Sequence, residues 1–312
     1  MIIPSAPDDS GGDRSSSASV AFVSDLHLFS SRCDYDRHAA AVGRAIEGSD
    51  ICVWGGDLFD FCWSQVGDLE RSRRQAVEWL EHWRKRFPDK VFVYLNGNHD
   101  AQEAFQEDLR NWASRANPHA GESLVVGGDG SPDRLVARPG SVHVGWDAIR
   151  LADTVLVHGD VIVGGGSAEA LATYRSRWEH GPKAEHGVKG VKGERAAQES
   201  ARRFAGSGPA LRREPANGKL RNGLYDAAVA TRLHLAAAGV AHRRRNVCLR
   251  LLRWIRDQPG WLHQDVGRVV FGHTHRRMHG VEVGGTLFFN GGAAVRHVPF
   301  DPVVITVGQH HR

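Results

Sequence analysis

Paired thiols are missing from this sequence. Its four cysteines, Cys33, Cys52, Cys62 and Cys248, show no CxxC spacing, which argues against a disulfide framework, a zinc finger and a thioredoxin-like redox motif. No apolar run approaches the ~18 residues that a membrane-spanning helix needs. The opening stretch MIIPSAPDDSGGDRSSSAS has neither the basic start nor the long apolar core of a secretory signal. Free thiols and the lack of a signal predict a cytoplasmic protein, with residues 1–18 as a disordered tail. Internal repeats and heptad arrays are also absent, so neither a solenoid nor a coiled coil is expected.

What is present is the composition of an ordinary globular protein: 312 residues, 41% hydrophobic and 24% charged. That length suits one large domain or one domain carrying an insertion. The net charge of +4 is unevenly spread. Between Leu171 and Pro259, 19 Lys/Arg stand against 7 Asp/Glu, a local +12 against −8 elsewhere. Such a block suits an anionic partner, whether substrate phosphate, nucleic acid or a membrane surface, and it equally suits a solvated helical face.

Short apolar runs alternate with helical patterns over the first two-thirds of the chain. Val20–Leu28, Asp50–Asp60 and Lys90–Asp100 each read as a buried strand entering a polar loop. Between the last two, Ala76, Leu80, Trp83 and Phe87 share one helical face. The alternation predicts an α/β fold with parallel strands whose C-terminal ends gather at one edge. Asp153–Asp160 and Gly267–His275 repeat the pattern, and Thr286–Phe289 and Val303–Val307 are expected strands of a second sheet. From Val161 to Asp265 the composition turns to Ala, Arg and Leu at helical spacing, opened by the hinge-like Gly164-Gly165-Gly166 and interrupted by a loop-like GPKAEHGVKGVKGE. The expected organisation is a core of residues 19–160 and 266–312, with residues 161–265 as a basic helical insertion, or lid.

Five strand ends carry side chains able to hold a metal: Asp25 with His27, Asp57, Asn98, His158, and His273 with His275. In extended chain, residues i and i+2 point the same way, so each close pair can face one cavity. Any one of these signals has an ordinary structural reading, and Asn96-Gly97 alone would suit a turn. Five in succession are hard to assign to chance. Carboxylates, imidazoles and an amide without thiolate suit manganese, iron, zinc or cobalt in a working site. Seven ligands exceed one ion's need, so two divalent ions sharing Asp57 are expected.

In order, Asp25-Leu26-His27, Gly56-Asp57-Leu58-Phe59-Asp60, Gly97-Asn98-His99-Asp100, His158-Gly159-Asp160 and Gly272-His273-Thr274-His275 reproduce the motif series of the calcineurin-like metallophosphoesterases. This resemblance implies a four-layer αββα sandwich with a dinuclear centre, manganese being the foremost candidate. It implies Asp25, His27, Asp57 and His275 on one ion, and Asp57, Asn98, His158 and His273 on the other. A bridging hydroxide would attack the phosphorus in line. His99 would protonate or stabilise the leaving oxygen, Asp100 would orient His99, and Asp60 would support the site through hydrogen bonds. Asn290-Gly291-Gly292 stands where related enzymes carry an Asn-Pro-Gly turn near the metals, and a plain hairpin turn fits it equally.

The phosphoesterase reading covers a phosphorylated small molecule or a nucleotide-bearing substrate. GGDLFDFCW, VLVHGD and GHTHRRMH with its extra His279 are similar to the UDP-2,3-diacylglucosamine diphosphatases, which typically have arginine where this chain has His99. A nuclease or phosphodiesterase, and a non-catalytic protein-binding scaffold of the same fold, are the other readings; a scaffold usually has a broken ligand set, and this set is complete. Tyr174, Arg175, Arg177, Trp178, Arg202, Arg203 and Arg243-Arg244-Arg245 are candidates for meeting an anionic substrate, and Trp254 and Trp261 could stack on bases or fill a core.

Overall fold

The computed structural model describes residues 17–117, 139–178, 244–258 and 265–308. In chain order they form β1 (Ala18–Val23), α1 (Tyr35–Glu47), β2 (Ile51–Trp54), α2 (Leu69–Arg86), β3 (Val91–Leu95), α3 (Glu103–Ala116), β4 (Val142–Trp146), β5 (Ala148–Leu151) and β6 (Thr154–Val157). A 3-10 turn (Asp160–Gly165), α4 (Ala168–Ser176), α5 (Arg244–Arg256), β7 (Arg268–Phe271), β8 (Met278–Val283), β9 (Thr286–Asn290) and β10 (Val303–Val307) follow. The expected N-terminal tail up to residue 16, the GPKAEHGVKGVKGE loop, Arg202, Arg203, Arg243 and Trp261 lie outside the described residues.

Two five-stranded sheets result, ordered β10-β1-β2-β3-β4 and β5-β6-β7-β9-β8. Strands β1 to β4 run parallel, as do β6, β7 and β9. Period-2 alternation decides what each strand buries. Val20, Phe22, Ile51, Val53, Val91 and Val93 meet Ile149, Leu156 and Val270 between the sheets. Their neighbours Cys52, Trp54, Phe92 and Tyr94 pack on α1, α2 and α3. The other face of the second sheet, through Val155, Val157, Val269 and Phe271, packs on Val247, Leu251 and Trp254 of α5. Three apolar interfaces therefore separate four layers, helix–sheet–sheet–helix. Trp254 is a core residue here, one of the two uses open to it.

Val303–Val307 corrects one expectation. It pairs antiparallel with β1 in the first sheet, not with the second. Ile305 and Val307 are buried between the sheets while Val304 is 52% exposed, the signature of an edge strand. An apolar pentapeptide does not announce which of two sheets it joins.

Helix α2 shows the local logic. The Asp68 carboxylate caps its start by accepting the Arg71 N–H at 2.8 Å, a cap worth about 1 kcal/mol. Trp79 and Trp83, on one face, are fully buried against Trp54, with ring centroids 5.2 Å and 6.4 Å away. On the outer side Glu81 accepts two bonds from Arg84 at 2.7 Å and one from Trp112 Nε1 of α3 at 2.9 Å. The Arg84 hydrogen bonds outweigh burial and hold the Glu81 carboxyl down at about 2. A depressed acid stabilises the fold above its unfolded value, near 4.5, and the contribution fades as pH falls through the folded value. Glu81→Gln is expected to lower Tm by about 3 °C at neutral pH, as for a screened pair worth about 1 kcal/mol. In calorimetry the gap should narrow from pH ~4.5 toward ~2; a gap independent of pH would remove this account.

No described helix is long and apolar enough to cross a membrane.

Candidate metal centre

All seven expected ligands lie at the C-terminal ends of parallel strands, but those strands belong to two sheets. Asp25 and His27 follow β1, Asp57 follows β2 and Asn98 follows β3. His158 follows β6, and His273 and His275 follow β7 in the facing sheet. The loops converge at the seam between the sheets. Donor atoms of Asp25, His27 and His275 all lie within 4.8 Å of one another, as do those of Asp57, His158 and His273. His27, Asp60 and His99 form a third group with the same spread.

Extended geometry does not produce this convergence. Asp25 (φ 55°), His27 (47°), Asp57 (52°), His273 (67°) and His275 (55°) are all left-handed, which costs roughly 1–3 kcal/mol for each residue bearing a side chain. The i, i+2 pairing holds for Asp25 and His27, which share a group, but not for His273 and His275, which turn to different groups. Each residue turns back on itself at the end of a strand and is held there by neighbouring loops. Asp25 N–H donates to Gly56 O and His27 N–H to Asp57 O, both at 3.1 Å.

The site is buried and ordered by its supports. Asp25 accepts from Ser24 Oγ at 2.6 Å and from the His273 N–H at 2.9 Å. His158 Nδ1 donates to Gly55 O at 2.8 Å, which turns Nε2 toward Asp57 Oδ2, 3.3 Å away. Asn290 Nδ2 donates to Gly272 O at 2.9 Å and props the loop that carries His273 and His275. Ser24, Gly55 and Asn290 had no assigned role in the sequence reading; only the Asn-Gly-Gly after an apolar run hinted at the last. The motif glycines also have a spatial cause. A Cβ on Gly97 would lie 2.3 Å from Asp57 Oδ1, and one on Gly272 2.3 Å from Asp25 Oδ2.

Gly97→Ala is therefore expected to displace the Asp57 carboxylate. We expect at least a tenfold loss of metal affinity, the lower end of the roughly 10–100-fold cost of disturbing a ligand's support. Titration of the variant with manganese checks this, and wild-type affinity would refute it.

Two expected roles exchange places. Asp100 does not orient His99: it accepts from Tyr94 Oη at 2.6 Å, Leu58 N–H at 2.8 Å and Gly97 N–H at 3.0 Å, and so ties the β2 and β3 loops together. The carboxylate beside His99 is Asp60, with Oδ1 3.3 Å from Nδ1. The resemblance suggested the first pairing, and contact between loops about 40 residues apart supplied the second. Arg175 also has partners other than those expected. Its guanidinium donates to both oxygens of Asp160 at 2.7 and 3.1 Å, to Asp147 at 2.6 Å and to Asn96 O at 3.2 Å, so it serves as an internal clamp. Arg177 is exposed.

The electrostatics suit cations. Burial keeps His27 and His273 down near 4, helped by neighbouring imidazoles, so both are neutral, the form that donates to a metal. Burial of His158 and His99 is outweighed by the charge of Asp57, which lifts them to about 10 and 9. Burial of Asp57 is likewise outweighed by His158 and His99, which hold it well below the usual range. Protons thus provide the positive charge that this cage of carboxylates demands. The buried Asn98 Oδ1 and His158 Nε2 complete no hydrogen bond among the described residues. His27 Nε2 and His275 Nε2 face each other at 3.0 Å. Oxygen and imidazole-nitrogen donors gathered at one pocket, without thiolate, fit hard-to-borderline divalent ions, which would take the place of those protons.

Facing sheets with such a pocket at their strand ends define a metal-dependent α/β hydrolase of the sandwich type. The chain belongs to the calcineurin-like phosphoesterase family, whose model matches residues 18–180, more than half of its length. It is accordingly a phosphoesterase that uses divalent metal ions. The match ends before β7, so the place of His273 and His275 rests on the geometry alone. No curated protein matches the sequence.

Proposed function

We propose that the chain hydrolyses a phosphate ester or phosphoanhydride at a two-cation centre. Asp25, His27, Asp57 and His275 would hold one ion, and Asp57, Asn98, His158 and His273 the other. The observation that carries this reading is the pair of largely buried three-residue groups, Asp25-His27-His275 and Asp57-His158-His273, gathered at one seam. When bound, two divalent cations neutralise phosphoryl oxygens and lower the pKa of an attacking water.

The chain's own residues do the rest. Ser24 and the His273 N–H fix the carboxylate of Asp25, and Gly55 O fixes the tautomer of His158. His99 keeps 13% side-chain exposure, and its Nδ1 is buried beside Asp60, so Nε2 is the nitrogen assigned to the substrate. It meets the leaving oxygen and gives it a proton. Manganese is the preferred ion for a mixed carboxylate and imidazole set, with iron, zinc and cobalt as close competitors. A phosphorylated small molecule or a nucleotide-bearing substrate suits the pocket, and a pyrophosphate differs from an ester only in its leaving oxygen.

Purified protein with added manganese is to be assayed against p-nitrophenyl phosphate, its bis-ester and a nucleoside diphosphate ester. Turnover of at least one, abolished by a chelator and restored by metal, is the expected result. Failure on all three with metal bound would overturn the reading.

A further inference from the structure

Helix α4 stands beside the metal centre with little apolar anchoring of its own, since Leu171 is its only buried residue. Other contacts dock it. Arg175 clamps it to Asp160, which is fully buried, to Asp147 and to Asn96 O. At its far end Gln102 Nε2 donates to Trp178 O at 3.4 Å, tying the helix to the segment just after His99 and Asp100. The helix carries Tyr174, and Trp178 follows just past its end in a turn closed by its N–H donating to Arg175 O at 2.9 Å. The Tyr174 ring lies 6.1 Å from the ring of His273, edge-on. The Trp178 indole lies 4.1 Å from the imidazole of His99, tilted by 39°.

His99 is thereby boxed. Trp178 covers one face, the ring of His27 stands edge-on at 4.8 Å, and Asp60 occupies the Nδ1 side. With Nδ1 buried beside Asp60, Nε2 is the nitrogen assigned to a substrate.

We infer that Trp178 is a positioning residue for His99, and that Arg175 acts one step behind it by locking α4 against the core. The inference rests on the reading of His99 as the group that meets the leaving oxygen. It gives the start of the segment following β6 a part in the chemistry without contact to the phosphoryl group. A misplaced imidazole harms an ester whose leaving group needs a proton far more than one whose leaving group departs unaided.

The full chain with manganese is compared on phenyl and p-nitrophenyl esters of whichever class the wild type turns over. Trp178→Ala is expected to reduce kcat on the phenyl ester by about 10–100-fold, the usual cost of losing a group that orients an active residue. It should change the p-nitrophenyl ester by less than about threefold and KM by less than about twofold. Trp178→Phe should recover most of the loss. Equal losses on both esters, or a rise in KM alone, would overturn the inference by making Trp178 a fold or substrate contact.

A second readout needs no turnover. In metal-free protein the ring protons of His99, assigned through His99→Ala, are expected to carry a ring-current shift from the indole. That shift should vanish in Trp178→Ala and change in Arg175→Lys, which keeps the charge but loses the fork. An unmoved His99 signal in Trp178→Ala overturns the packing claim. Inactivity of the wild type on every ester overturns the hydrolase reading instead and leaves the magnetic-resonance comparison to decide the packing.

Discussion

Asp57→Asn is expected to lower turnover by at least about a thousandfold while leaving Tm within a few degrees of the wild type. The argument begins with what the substitution preserves. Asparagine keeps the oxygen that accepts the His99 N–H at 2.8 Å, so the loop stays in place. It replaces Oδ2, 3.3 Å from His158 Nε2, with an amide nitrogen that cannot donate a lone pair to a cation. Disturbing a partner of a ligand already costs about 10–100-fold, and a residue proposed to serve both ions should exceed that. His158 loses the charge that lifts it to about 10 and becomes a neutral buried imidazole, which the fold tolerates. Elemental analysis should show the bound manganese falling together with the activity. A variant keeping a tenth of wild-type turnover would refute the shared-ligand assignment.

The second large effect falls on stability. Arg175→Ala leaves the carboxylate of Asp160, fully buried, without its two guanidinium bonds. Removing one partner of a buried pair costs about 3–5 kcal/mol, or about 10 °C of Tm in a core of this size. Adding Asp160→Asn removes the stranded charge and should recover more than half of the loss. A single variant that melts like the wild type would show the clamp to be dispensable. A double variant no better than the single would show that the charge was not the cause.

Much of the architecture was legible because buried parallel strands read as short apolar runs. Val91–Leu95, Thr154–Val157 and Arg268–Phe271 could be placed from composition alone. Val142–Trp146 escaped notice because its histidine and glycine dilute the pattern, and it lies at a sheet edge, only partly buried over most of its length. The partition into two sheets was half-legible, and β10 was put in the wrong one because its pairing partner lies nearly the whole chain away. At the site, residue type pointed to the side chains that gather there, while the backbone that aims them was not legible. Spacing suggested extended pairs where the chain is left-handed. The resemblance was taken to pair His99 with its neighbour Asp100, whereas Asp60 comes from a loop that only folding brings near. Arg175 looked like an anion ligand because sequence shows its charge and hides the carboxylates already around it.

The turns after β1 and β2 do not wander as surface connections do. Gly55 N–H donates to Val23 O, His27 N–H to Asp57 O, Leu28 N–H to Leu58 O and Asp60 N–H to Leu28 O, so the rungs of the sheet continue past the strands and into the pocket. Most connections accept an extra residue at small cost. These two have inherited a register, and a single insertion in either would shift every donor beyond it by one rung. Length here is constrained as tightly as chemistry.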